Sequence, residues 1–208
     1  MVNLKNIGLY FITDRNLTKS SIIEDVKAAI KGGVKILQYR EKWLSTKEMF
    51  IEARKIRDIC RENGVLFLVN DRIDIVLGVD ADGVHLGQED LPCNIARRLL
   101  GNKIIGVTVH NIEEAIKAEE DGADYVSLSP IFPTTTKEDA GDPVGIELIK
   151  KLKSSVRIPV IAIGGINKNN LVDVIKAGAD GVAAISAIIP KDVEQEVKEF
   201  VNIINSLR

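Results

Sequence analysis

Short apolar runs return along this chain at intervals of roughly 26 residues, each followed by a stretch of helical period. The runs are Gly8–Thr13, Lys35–Arg40, Leu66–Asn70, Gly83–Leu86, Ile104–Val109, Tyr125–Ser129, Val160–Gly164 and Gly181–Ser186. They are mostly apolar and do not alternate, the signature of parallel strands covered on both faces. Between them, Ile22, Ile23, Val26, Ala29 and Ile30 repeat at three and four, as do Ile51, Ala53, Ile56 and Ile59-Cys60. Ile95–Leu100, Ile112–Ala118, Ile146–Leu152, Leu171–Ile175 and Val193–Leu207 extend the helical pattern. A phrase also recurs: Lys31-Gly-Gly-Val-Lys-Ile-Leu-Gln, Val79-Asp-Ala-Asp-Gly-Val-His-Leu, Asp121-Gly-Ala-Asp-Tyr-Val-Ser-Leu and Ala177-Gly-Ala-Asp-Gly-Val-Ala-Ala. Each reads as a helix end, a small turn residue and entry into a buried strand. Eight strand–helix units predict an α/β protein, a single (β/α)8 TIM barrel spanning residues 1–208. An open doubly wound sheet is the alternative, although it has no need of an eighth unit.

Composition narrows the setting. The 208 residues carry 28 Lys+Arg against 30 Asp+Glu, a net charge of −2, so no strongly basic surface argues for nucleic acid. No apolar run reaches the length of a membrane span, and the stretch MVNLKNIGLYFITDR lacks the apolar core and cleavage site of a signal peptide. Cys60 and Cys93 form no CxxC pair and have no neighbouring His, which suits free buried thiols and a cytoplasmic location.

In a barrel, chemistry gathers at the carboxyl ends of the strands. Gln38-x-Arg40-x-Lys42 puts alternate side chains on one face, and an Arg fork beside a Lys charge suits a phosphate or diphosphate; Arg40 paired to a neighbouring acid is the plainer reading. Asp71 and Asp90 end adjacent strands, where two carboxylates reach one hard cation such as Mg2+. Otherwise Asp71 pairs with Arg72 or Arg40, and Asp90 caps the helix that Asp90-Leu-Pro opens. Gly164-Gly165 and Ile185-Ser186 follow the last two strands, where many barrels hold a phosphate on backbone N–H groups. Thr134-Thr135-Thr136-Lys137 lies in a long loop between Ile131 and Pro143, either a lid or a surface segment. His85 is expected to be structural, while His110 divides between ligand contact and helix capping; Trp43 and Phe132 divide between stacking on a ligand and packing. No Ser or Cys stands with a histidine as a nucleophilic triad. Two anion sites, a diphosphate with Mg2+ and a monophosphate, imply two substrates and group transfer.

Taken together, Tyr10-x-x-Thr-Asp, Gln38-Tyr-Arg-Glu-Lys, Leu68-Val-Asn-Asp-Arg, Ala81-Asp-Gly-Val-His-Leu-Gly-Gln-Glu-Asp, Gly106-Val-Thr-Val-His and Pro130-Ile-Phe-Pro-Thr-Thr-Thr-Lys closely resemble the thiamine-phosphate synthase family. The resemblance runs nearly end to end. It implies condensation of hydroxymethylpyrimidine diphosphate with a thiazole phosphate, giving thiamine phosphate and pyrophosphate through a carbocation-like species. By the same resemblance, Gln38, Tyr39, Arg40, Glu41, Lys42, Asn70, Thr108 and Lys137 bind the pyrimidine diphosphate, and Asp71 and Asp90 hold Mg2+. Arg40, Lys42, Lys137 and Thr108 take the catalytic part. Thr134, Thr135, Thr136, Gly164, Gly165, Ile185 and Ser186 hold the thiazole phosphate. Family members usually carry Ser where this chain has Thr108. The related thiazole tautomerase type lacks the diphosphate machinery, and retention of Arg40, Lys42, Asp71, Asp90 and Lys137 speaks against it. Small-molecule substrates, no nucleic acid and no membrane are the expected partners, with a homo-oligomer left open.

Overall fold

The computed structural model describes residues 4, 7–136 and 141–207. Within them, strand and helix alternate strictly: β1 (Gly8–Ile12), α1 (Ile22–Gly32), β2 (Ile36–Tyr39), α2 (Thr46–Glu62), β3 (Leu66–Asn70), α3 (Ile73–Val79), β4 (Gly83–Leu86) and α4 (Cys93–Leu100). The series continues with β5 (Ile104–Val109), α5 (Ile112–Glu120), β6 (Tyr125–Leu128), α6 (Glu147–Ser155), β7 (Val160–Ile163), α7 (Leu171–Lys176), β8 (Gly181–Ala183) and α8 (Val193–Ser206). All neighbouring strands pair in parallel, and β1 pairs with β8, Gly8 opposite Gly181, closing the barrel. The open doubly wound sheet is thereby excluded.

Helix α3 carried no periodic signal in the sequence, because IDIVLGV is apolar at most positions and leaves no polar face to define a period. Several strands also stop short of their expected ends. Gly164 has φ +99° and leaves the extended conformation, so β7 ends at Ile163. Strand β8 similarly ends at Ala183, and Ile185 begins a turn in which its carbonyl accepts from Ile188 N.

Alternation within the strands builds two cores. Leu9, Phe11, Leu37, Val69, Val84, Val126 and Val182 face outward and pack under the helices. Tyr10, Ile36, Leu68, Ile104, Tyr125 and Ile161 fill the barrel itself. Helix ends are locally specified: Ser21 caps α1, and Ser45 and Glu48 form a capping box on α2.

The recurring phrase has a shared physical purpose. Asp82, Asp124 and Asp180 precede β4, β6 and β8, and each carboxylate accepts the N–H at the start of the preceding strand. Their partners are Phe67, Ile105 and Val160, each at 2.8 Å. Each aspartate N–H in turn donates to the carbonyl of that same partner. The repeat is thus a stitch on the amino-terminal side of the barrel, opposite the strand ends where chemistry is expected. The first copy has Lys35 at that place and makes no such stitch through its side chain.

Candidate active site

The strand ends enclose a cavity of about 460 Å3. Gln38, Arg40 and Lys42 line it from the end of β2 and the residues beyond, Asn70 and Asp71 from β3, and Asp90 from the loop after β4. Across the mouth, Gly164, Gly165, Ile185 and Ser186 line it from the loops after β7 and β8. Thr134 and Thr136 approach from the loop after β6 and Thr108 from β5. Most of the anion-binding residues expected from the sequence therefore converge on one space.

Three expected residues do not face it. Tyr39 alternates with Gln38 and Arg40, so its ring points into the helix layer, where its hydroxyl donates to Glu52 Oε2 at 2.7 Å. Glu41 is buried and bonded to Arg15, which also pairs with Glu52. Its Oε1 gathers the backbone N–H groups of Lys42, Trp43 and Leu44 at 2.9, 2.7 and 3.3 Å. Burial would push the Glu41 carboxyl up, but the Arg15 guanidinium and these N–H donors outweigh it and hold it below the usual range. Tyr39 and Glu41 consequently shape the loop that presents Lys42. Thr135 is exposed between Thr134 and Thr136, outside the cavity lining, and Lys137 lies outside the described residues. The loop's base is pinned, with Val144 N bonded to Pro130 O at 2.9 Å and Gly145 N to Ile131 O at 3.2 Å.

Both readings of Arg40 hold together: it lines the cavity and its Nη1 donates to buried Asp14 at 3.2 Å. Asp14 orients the guanidinium without removing it from the site. Asp71 pairs with neither Arg72 nor Arg40. Its Oδ2 accepts from Lys42 Nζ at 2.5 Å, while Arg72 turns away to Asp74 and Thr46. Asp71 also sits at φ +61°, a left-handed conformation that Asp tolerates better than most residues, and its N–H is tied to His85 O at 2.8 Å. Asp90 does not cap α4, whose cap position is Pro92; its Oδ2 accepts from Gly87 N at 2.6 Å. Burial first, and the adjoining Asp71 carboxyl second, push the Asp90 carboxyl up. Two carboxyl groups crowded together are a donor set of the kind that would hold a hard divalent cation. Among the described residues no cluster of three or more His, Cys, Asp or Glu could do so alone.

The other side of the cavity is shaped by a backbone turn. Gly164 and Gly165 have φ +99° and +64°, and a Cβ on either would come within 2.6 Å of Pro130 Cβ or Pro133 O. Only glycine lets this turn nest under the 130–133 segment while lining the cavity. Trp43 is 74% exposed and does not line the cavity, whereas Phe132 packs against the core.

His85, whose direction in the barrel the sequence leaves open, points inward and lines the cavity, with Nδ1 2.9 Å from Tyr125 Oη and Nε2 2.8 Å from Thr108 Oγ1. The register held the signal: His85 is in phase with inward-facing Gly83 on β4, and adjoins Asn70 on β3. Ser127 lines the cavity too and lay inside an apolar run without a motif to mark it. His110 lines the rim, with Nδ1 3.0 Å from Glu114 Oε2.

A closed (β/α)8 barrel whose strand ends join a basic, dicarboxylate edge to a glycine-turn edge defines an anion-handling barrel enzyme. The chain belongs to the thiamine monophosphate synthase family, whose model matches residues 9–188. It is 52% identical over 207 residues to a thiamine-phosphate synthase of Methanosarcina mazei, covering 99% of this chain and 86% of that protein. A thiamine-phosphate synthase of Chloroflexus aurantiacus is 51% identical over 88% of this chain and 86% of its own length. The solved structure of a thiamine phosphate pyrophosphorylase from Pyrococcus furiosus superposes with a TM-score of 0.92 at 43% identity, covering 98% of both chains. The family is one of transferases.

Proposed function

We propose that the protein joins 4-amino-2-methyl-5-hydroxymethylpyrimidine diphosphate to a thiazole phosphate, releasing pyrophosphate and forming thiamine phosphate. The observation that carries the reading is the mouth's division: Arg40, Lys42, Asp71 and Asp90 on one side, the Gly164-Gly165 turn on the other. Asp71 and Asp90 would supply oxygen ligands for Mg2+, and Lys42, bonded to Asp71 at 2.5 Å, stands ready to meet the diphosphate. A bound Mg2+ contributes positive charge against the charge of the diphosphate. Asn70 lines this same side, and Lys137 is assigned to it by the family resemblance. Arg40, oriented by Asp14, meets the diphosphate oxygens with its remaining N–H groups.

In the reaction, the bond between the pyrimidine methylene carbon and the diphosphate oxygen breaks, and its electron pair leaves with pyrophosphate. The thiazole nitrogen then donates its lone pair to that carbon, so one C–N bond replaces one C–O bond and no proton moves. Arg40 and Lys42 favour the charge that builds on the leaving group. Thr134, Thr136 and the backbone at Gly164, Gly165, Ile185 and Ser186 hold the thiazole phosphate so that its nitrogen faces the carbon. Excluding water protects the carbocation-like species, a task that suits the loop after β6. Among the described residues no helix is long and apolar enough to cross a membrane. Buried free Cys60 and Cys93, whose thiols burial pushes up to about 12 and about 11, fit a cytoplasmic protein.

The test is pyrophosphate release with both substrates, with and without Mg2+, on wild type and Asp71→Ala. Release that requires Mg2+, falls by about 10²–10³-fold in Asp71→Ala and matches thiamine phosphate mole for mole supports the reading. No release from folded protein that binds both substrates would sink it.

A further inference from the structure

The residues that follow β1, Thr13, Asp14 and Arg15, do not line the cavity, yet each is bonded to the segment after β2 that does. Thr13 Oγ1 accepts from Arg40 N at 3.0 Å and donates to Arg40 O at 3.4 Å, while Asp14 holds the Arg40 guanidinium. Arg15 reaches two carboxylates at once. Its Nε donates to Glu41 Oε2 at 2.5 Å, and its Nη2 donates to Glu52 Oε2, well inside α2. The Tyr39 hydroxyl donates to that same Glu52 oxygen. The Glu41 side chain has no exposed surface, whereas Arg15 keeps 33% of its own and Glu52 20%. One guanidinium therefore answers a wholly buried carboxylate and ties it to a helix.

Glu41 is the point at which the loop is fixed. Its Oε1 collects the backbone N–H groups of Lys42, Trp43 and Leu44, and its Oε2 faces Arg15. The loop's far end is fixed by the capping box, with Ser45 N 3.0 Å from Glu48 Oε2. Lys42 stands between these anchors with its ammonium at the mouth, on Asp71. A carboxylate buried without a cation is costly, and it relieves that cost by taking up a proton or by swinging to water. Swinging out breaks the bonds to 42–44. Protonation weakens them, because a neutral carboxyl is a poorer acceptor than a carboxylate. Loss of the Arg15 charge therefore reaches the Lys42 backbone by either route. The fork also matters, since Nε and Nη2 give Glu41 and Glu52 a donor each from one rigid plane.

We propose that Arg15 is a positioning residue for the diphosphate: acting through Glu41, it fixes the 41–45 loop against α2, so that the Lys42 ammonium stands at the mouth before the ligand arrives. The inference rests on the diphosphate reading of the β2–β4 edge and adds to it a remote cause of preorganisation. A loop already in place spares the ligand the cost of ordering it. The effect belongs to one edge, because the Gly164-Gly165 turn across the mouth is shaped by its own packing under the 130–133 segment.

The test compares wild type, Arg15→Gln, Glu41→Gln and the double variant, each checked for folding by its thermal transition. Backbone amide exchange, followed by NMR without ligand, reads the N–H groups of Lys42, Trp43 and Leu44 against those of β5. Calorimetry with inorganic pyrophosphate and Mg2+ reads the edge itself, and KM is measured for both substrates. In Arg15→Gln the 42–44 amides should exchange about tenfold faster while those of β5 keep their wild-type rates. Pyrophosphate should bind about tenfold more weakly, and KM for the pyrimidine diphosphate should rise in step, with KM for thiazole phosphate unmoved. The double variant should bind pyrophosphate more tightly than Arg15→Gln, because it removes the buried charge that the single variant leaves unanswered. A folded Arg15→Gln with wild-type exchange at 42–44, or with wild-type pyrophosphate affinity, would overturn the proposal, as would a double variant that binds no more tightly than Arg15→Gln. Should Arg15→Gln not fold, Arg15→Lys takes its place, keeping the charge without the fork, with the exchange and affinity changes reduced to about threefold. Neither exchange nor calorimetry depends on turnover, so a silent synthase assay beside weakened pyrophosphate binding would fault the synthase reading and leave the positioning role standing.

Discussion

On the proposed reading, the two edges of the cavity each hold an anion, and they do so by different means. The edge built by β2, β3 and β4 uses side chains: Arg40 braced by Asp14, Lys42 bonded to Asp71, and Asp90 beside it. The edge built by β7 and β8 uses backbone freed by two glycines in left-handed conformations. Side chains can be exchanged for ligand contacts, so the first edge suits a group whose charge changes during reaction. A backbone turn is fixed by packing, since a Cβ on Gly164 would stand 2.6 Å from Pro130 Cβ, and suits a group that must only be held.

If that contrast is sound, substitutions on the two edges should differ in kind. The largest effect is expected from Gly164→Ala, which meets both a left-handed φ and a clash with Pro130, and should destabilise the fold by about 3 kcal/mol. Denaturant unfolding measures this, and KM for thiazole phosphate should rise with little change for the diphosphate. Next is Arg40→Lys, which keeps the charge but loses the fork, costing about 2 kcal/mol in kcat/KM for the diphosphate with the thermal transition nearly unchanged. Equal effects on both substrates from either variant would dissolve the distinction.

The smallest effect belongs to Glu41→Gln, with a loss of about 1 kcal/mol of stability and a few-fold rise in KM for the diphosphate as the loop carrying Lys42 loosens. It also has a pH signature. The Glu41 carboxyl is held below its ordinary value in the folded protein, so its contribution is complete above the usual glutamate range, near 4.3. That contribution is lost as pH falls through the lowered value. Glu41→Gln should therefore flatten part of the acid-side decline in thermal stability; an unchanged decline would remove Glu41 from the account.

Much of this was legible in the chain. Strands β3, β4 and β5 fall where the apolar runs put them, because their ends coincide with a change from apolar to polar residues. The residues of the diphosphate edge were legible since Gln38, Arg40 and Lys42 share a phase, and phase in a strand is direction. The same rule, applied strictly, would have turned Tyr39 and Glu41 away from the cavity. Helix α3 was too uniformly apolar to show a period, and Asp71's partner was open between several cations because chain distance does not rank them.

By itself, the sequence determined the eightfold strand–helix repeat, the closed count, the glycines that permit the second edge and the charged residues at the first. Local hydrophobic period and backbone freedom are properties of neighbours in the chain, so they can be read there. Only the tertiary structure decided that Lys42 meets Asp71, that Asp90 lies against that same carboxyl and that Glu41 serves the loop instead of the ligand. It alone revealed that Arg15 joins Glu41 to Glu52. Those residues come from the loop after β1, the loop after β2 and α2, and the pairing of β1 with β2 is what brings them within hydrogen-bonding distance.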